Sequence, residues 1–132
     1  MLIDSEDPMT DIEATWAHLT TRDGWQKPEG ATDDQALMMA TCMETWIVAD
    51  RAVLKSHYGS DLQESALPAL VNLESRPRDA VQNSLAHGTR NCANKYEKGK
   101  RSFQIIGELT PNTLGVHLPS FVRTRRILDA RL

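Results

Sequence analysis

The chain has 132 residues, a formal net charge of −3 and 25% charged side chains. Leu, Ile, Val and Phe make up about a fifth of it, just above the range of disordered proteins, so a modest folded core is expected. The apolar run 36–40 is far shorter than the roughly 18–20 residues of a membrane-spanning helix, so no membrane partner is expected. The acidic start has no apolar h-region, so we expect that it is not a secretory signal, and two cysteines are too few for a disulfide framework, which suggests a reducing compartment. The expected location is therefore cytoplasmic, or within a virion if the protein is a viral accessory protein.

The charge is distributed unevenly along the chain. Residues 1–34 carry nine acidic and two basic side chains, net −7, whereas residues 80–132 carry three acidic and nine basic side chains, net +6. A basic surface attracts polyanions with a strong dependence on salt. The alternative is that the two ends neutralise each other, within the fold or between neighbouring copies, and the sequence leaves both interpretations open.

The first half of the chain predicts an acidic arm and two helices. Residues 1–9 are expected to be a flexible arm in front of a single helical domain over residues 10–132. A capping box, Thr10 to Glu13, predicts a helix over 11–21, and a second, Thr32 to Gln35, predicts a long helix over about 33–58. Apolar residues surround most of the long helix, so we expect the other helices to pack around it.

The second half predicts shorter helices. Ser60 to Gln63 forms a third capping box, which opens a helix that runs to about residue 74 and is kinked or divided by Pro68. Pro77 predicts the start of a helix that ends at residues 87–88, while 103–109 is ambiguous between helix and strand. Thr110 and Pro111 indicate a helix start or a turn, and 120–132 predicts a final helix. The fold class is therefore mainly α, a single-domain helical bundle around a long central helix, with short strands as an alternative near residues 1–4 or 103–106.

Motifs for catalysis and metal binding are mostly absent. The sequence lacks the paired His and Cys spacings of zinc sites and the glycine-rich fingerprints of nucleotide sites. We expect no enzyme activity, no metal and no cofactor. Asp50 is the exception, because it falls on the apolar stripe of the long helix, where a carboxylate needs a partner or a raised pKa. It is either a structural group or the acid of a small carboxylate-based enzyme.

The first basic cluster lies before and within the ambiguous segment. Lysine and arginine neutralise phosphates, and an aromatic ring stacks on an unpaired base. The alternative is a solvated loop anchored by one phenylalanine. The cluster comprises the cations Lys95, Lys98, Lys100 and Arg101, with the interleaved aromatics Tyr96 and Phe103.

A second basic cluster lies on the predicted final helix and consists of Arg123, Arg125, Arg126 and Arg131. The residues before it resemble the turn and second helix of a helix-turn-helix motif, which would imply that the second helix enters the major groove. Pro111 departs from this pattern, because the first helix of the motif has a small helical residue there. The resemblance rests on Leu114, Gly115, Val116, Ser120 and Phe121.

Three functions are consistent with these patterns. The first is a non-enzymatic accessory protein that binds nucleic acid, RNA or DNA, through its basic C-terminal half. The second is a protein–protein assembly or adaptor module that recognises an acidic protein surface, for example in a virus or phage particle. The third is the small enzyme that would use Asp50. In the first two cases a homo-oligomer is expected, with a dimer favoured.

Overall fold

Helices dominate the fold, and two short strands accompany them. The computed structural model describes residues 1–97 and 99–131, with the backbone alone at Lys100 and Arg101. Leu2–Asp4 (β1) and Leu37–Met39 (β2) form a parallel pair in which Ile3 lies opposite Met38. The predicted mainly α class with short strands is confirmed. The helices of the described residues are Thr15–Asp23 (α1), Met43–Ala49 (α2), Arg51–Tyr58 (α3), Arg78–Gly88 (α4), Lys100–Ile106 (α5), Pro111–His117 (α6) and Pro119–Arg131 (α7).

The single long helix predicted over 33–58 is wrong. Thr32 and Gln35 do form the predicted capping box, but it closes only a 3-10 turn at Asp33–Gln35, after which the chain extends into β2. A short apolar run fits a buried strand as well as a helix, and pairing with β1 decides between them. A second break occurs at Asp50, which ends α2 and whose carboxylate caps α3. The region therefore forms a turn, a strand and two short helices.

The buried centre of the fold is α2, a shorter element than predicted. Every residue from Glu44 to Ala49 is buried, and the helix packs against α4, α5 and α6. Its side chains belong to a core that includes Leu54, Leu85 and Ile105, each fully buried. A smaller buried cluster consists of Leu19 of α1 together with Ala36 and Met38. The central role predicted for the long helix thus belongs to its middle third.

The N-terminal segment is ordered differently from the predicted arm. β1 forms within residues 1–9, and Ser5 is fully buried, so the prediction of a flexible arm is wrong for this part. The capping box predicted at Thr10 is also absent, because α1 begins at Thr15. A remote carboxylate caps α1 instead, since Asp33 Oδ1 accepts from the Trp16 backbone N–H at 2.9 Å.

The predictions for the rest of the chain differ in outcome before and after Pro77. The helix predicted after Ser60 is replaced by 3-10 turns at Gly59–Asp61, Glu64–Ala66 and Leu73–Ser75. After Pro77, α4 and α7 form close to their expected limits, the ambiguous segment 103–109 falls largely within α5, and Pro111 begins α6 rather than a turn. Within the described ranges, none of these helices is long and apolar enough to cross a bilayer.

Candidate nucleic-acid interface

The first basic cluster precedes α5 and continues into it. Lys95 is exposed and makes no ion pair with the described part of the chain. Lys98 lies outside the described residues, and the side chains of Lys100 and Arg101 do as well, although their backbone forms the first turn of α5. Including Glu97, residues 95–101 carry a net charge of +3. The cluster is therefore a short basic segment that enters a helix.

The two aromatic side chains of this cluster have opposite environments. Phe103 is 69% exposed, so it is not the anchor that the solvated-loop alternative requires. Tyr96 is half-buried, and its hydroxyl donates to Glu44 Oε1 at 3.0 Å. Burial and the neighbouring Glu44 both raise the pKa of the Tyr96 hydroxyl. Tyr96 is thus the anchor of the segment, and Phe103 alone is available for stacking.

The local backbone directs Phe103 outward. Gly99 precedes α5 with φ +108°, a value that side-chain-bearing residues rarely adopt. Its N–H donates to Ser102 Oγ at 2.9 Å, which fixes the first turn of the helix. Ser102 and Ile105 are fully buried, so these two residues define the inward face of α5 and leave Phe103 on the outward face.

Two arginines of the second basic cluster share one carboxylate within the fold. Arg123 is only 3% exposed, and its guanidinium donates to Glu13 Oε2 at 3.1 Å and to the carbonyl oxygens of Ala36 and Asp33. Arg126 donates to the same Glu13 carboxylate at 2.8 Å. Burial raises the pKa of Glu13, but hydrogen bonds and charges from both arginines outweigh it and hold the pKa below its ordinary value. The acidic and basic ends therefore meet within one chain.

Glu13 was not identified from the sequence as the partner of these arginines, because its position after Thr10 suggested a capping role. The acidic-to-basic gradient was consistent with pairing between the two ends of the chain, but it showed neither that they pair nor which residues do so. Arg125 is the third predicted contact on α7, and it lies 3.9 Å from Asp129 one turn along the helix with its side chain 53% exposed. Arg131 is exposed and makes no ion pair with the described residues, so cationic surface remains on the outer face of α7.

The helix-turn-helix resemblance is wrong in its register. Leu114, Gly115 and Val116 lie inside α6, and the chain turns at Leu118 instead. Pro111 occupies the first position of α6, as expected for a residue without a backbone donor, and the helix ends at His117. The structure therefore lacks the turn that the motif places at Gly115.

Two inward carboxylates have structural partners. Asp50 is 1% exposed, and its oxygens accept from the backbone N–H groups of Val53 at 3.2 Å and Thr110 at 2.9 Å. Both oxygens are satisfied and sealed from solvent, so Asp50 is a cap that links α3 to α6 rather than an acid in a cleft. Glu74 accepts from the Ser120 N–H at 3.0 Å with each oxygen and also accepts from the Ser120 hydroxyl. Burial raises the pKa of Glu74 to about 7, although the bonds from Ser120 oppose this rise.

The described residues contain no group of three or more His, Cys, Asp or Glu side chains placed to hold a metal ion. Comparison with known proteins adds a family but no function. No curated protein and no solved structure matches the chain. A family model described as a domain of unknown function, DUF4276, matches residues 1–126, and the chain therefore belongs to the DUF4276 family.

Proposed function

We propose that the protein binds single-stranded nucleic acid through residues 95–103, and that α7 contributes little to this binding. The observation that carries the proposal is the exposed ring of Phe103 beside a segment of net charge +3. Aromatic rings that face solvent within a basic groove or segment stack on bases, while the cations contact phosphates. A ring that serves the core would be buried, as Tyr96 is.

The surrounding charges favour this segment over α7. Lys95 is exposed without an ion pair in the described chain, whereas Arg123 and Arg126 share Glu13. A cation already paired with a carboxylate releases few counterions when a phosphate replaces that carboxylate, so it adds little to the salt dependence. The proposed phosphate contacts are accordingly Lys95, Lys98, Lys100 and Arg101.

Salt-dependent binding of a labelled oligothymidylate tests the proposal. For single strands, the logarithm of the binding constant falls with the logarithm of salt concentration with a slope of about −0.7 per phosphate contact. Replacing Lys98, Lys100 and Arg101 together with glutamine is expected to reduce this slope by about 2. The matched control replaces Arg125, Arg126 and Arg131 with glutamine, which changes the net charge equally, and its slope is expected to stay close to that of the unmodified protein.

Phe103 provides a second arm of the same experiment. Phe103→Ala is expected to weaken binding by about tenfold without changing the slope, since base stacking contributes roughly 1–3 kcal/mol per base. Phe103→Tyr retains a ring and is expected to bind normally. Equal slopes in the two triple variants would contradict the proposal by showing that net charge alone drives binding. If both Phe103→Ala and the triple variant at 98–101 bind as tightly as the unmodified protein, residues 95–103 are not the binding site.

A further inference from the structure

An apolar groove lies between α6, α7 and the residues that precede α1. Its volume is about 390 Å³. Its lining is divided between aliphatic and charged side chains. The apolar part consists of Ile12, Val116, Leu118, Pro119 and Val122. The charged part consists of Glu13, Arg123 and Arg126.

Two valines of the groove face solvent although they lie on helices with a buried side. Val116 is 76% exposed and Val122 is 49% exposed, whereas Leu114 and Leu118 occupy the core side of the same region. Neither valine is needed to fill the interior. Adjacent exposed aliphatic side chains along a groove are typical of surfaces that receive a partner.

The charged part of the groove retains hydrogen-bonding capacity. Arg126 is 59% exposed, and its Nη2 donates to Glu13, while its Nε and Nη1 donate to no group in the described chain. The exposed face of α7 also carries Arg125 and Arg131 against one acidic residue, Asp129. A carboxylate entering the groove would therefore meet uncommitted N–H donors in a locally positive field.

These features select the kind of partner. The lining of the groove contains no aromatic ring, so it lacks the stacking platform that binds bases. Aliphatic contacts beside a guanidinium instead suit a peptide segment in which apolar and acidic side chains alternate. We propose that the groove docks an acidic, aliphatic segment of a partner protein. This surface is separate from residues 95–103 and does not depend on the nucleic-acid proposal.

Fluorescence anisotropy with a labelled peptide of alternating leucine and glutamate tests the docking site. Val116→Asp is expected to weaken binding at least about tenfold, because it removes apolar contact and repels the acidic peptide. Val71→Asp is the matched control, since Val71 is 70% exposed and lies outside the groove, and it is expected to stay within about twofold of the unmodified protein. Circular dichroism checks that both variants keep their helices.

The remaining arms separate this partner from other occupants. A peptide with glutamine in place of glutamate is expected to bind the unmodified protein several-fold more weakly than the acidic peptide does. The acidic peptide is likewise expected to bind the Arg126→Gln variant several-fold more weakly than it binds the unmodified protein. Equal binding of the two peptides would overturn the acidic partner, and no saturation by the acidic peptide up to about 1 mM would overturn docking itself. Displacement by oligothymidylate would assign the groove to nucleic acid. A dimer in light scattering that Val116→Asp abolishes would assign it to a second copy.

Discussion

Arg123 and Arg126 share one carboxylate but differ sharply in burial, and this difference predicts unequal effects on stability. Arg123 is 3% exposed and donates to Glu13, to Ala36 O at 3.0 Å and to Asp33 O at 2.7 Å. Arg123→Ala removes all of these bonds at once and leaves a cavity. Glu13 is half exposed and stays bonded to Arg126, so the loss comes mainly from the buried Ala36 oxygen that is left without a donor, which costs about 1–3 kcal/mol, and from the cavity, which adds to it. Because domains are stable by only about 5–15 kcal/mol, this loss is a large part of the total.

Arg126→Ala is the matched variant for this measurement. It also removes an arginine bonded to Glu13, but its side chain is 59% exposed, and exposed ion pairs contribute about 0–1 kcal/mol. Urea unfolding followed by circular dichroism gives the free energy of unfolding of each variant. The difference between the two variants is expected to be about 2 kcal/mol. Equal losses, or a loss below about 1 kcal/mol for Arg123→Ala, would refute the assignment of Arg123 as a buried link between the chain ends.

Two further predictions concern the inward carboxylates. The pKa of Glu74 rises from 4.5 to about 7 on folding, so the folded state holds the proton more tightly, and the free energy of unfolding is expected to fall as pH rises between these values. The free energy of unfolding is expected to fall by up to about 3 kcal/mol over this range. Glu74→Gln should abolish this pH dependence, whereas the exposed control Glu29→Gln should leave it in place. An unchanged pH profile in Glu74→Gln would exclude Glu74 as the source of the pH dependence. Asp50→Asn is expected to lower the free energy of unfolding, measured in urea, by about 1–3 kcal/mol. One of the two backbone N–H groups that donate to the Asp50 carboxylate would then face the amide N–H₂ and have no acceptor. Amide exchange at Thr110 should accelerate in that variant, and unaltered protection there would contradict the capping role.

Local signals predicted the second half of the fold better than the first. Pro77 and Pro111 mark helix starts because proline cannot donate a backbone hydrogen bond, and this constraint holds whatever the tertiary context. The capping box at Thr32 also formed, but it could not reveal how far the helix would continue. That limit came from β1 pairing with residues 37–39, a contact between segments more than 30 residues apart.

At the candidate site, too, the sequence predicted local features but not long-range contacts. Charge and spacing identified the basic segment and its aromatic residues, but not which ring would be buried. Tyr96 is held by Glu44, which lies 52 residues earlier in the chain, and Phe103 is left exposed because Ser102 and Ile105 face inward. The role of Arg123 was hidden for the same reason, since its partner Glu13 lies 110 residues away. The expected dimer and the expected compartment stay predictions.

Chemical-shift mapping tests most directly whether residues 95–103, rather than α7, contact nucleic acid. Amide spectra of the isotopically labelled protein are recorded while unlabelled oligothymidylate is added at low salt. Progressive shifts concentrated in residues 95–103 are expected, with the amides of α7 largely unaffected. Shifts centred on Arg123, Arg125 and Arg126, or no shifts at saturating oligonucleotide, would contradict this expectation.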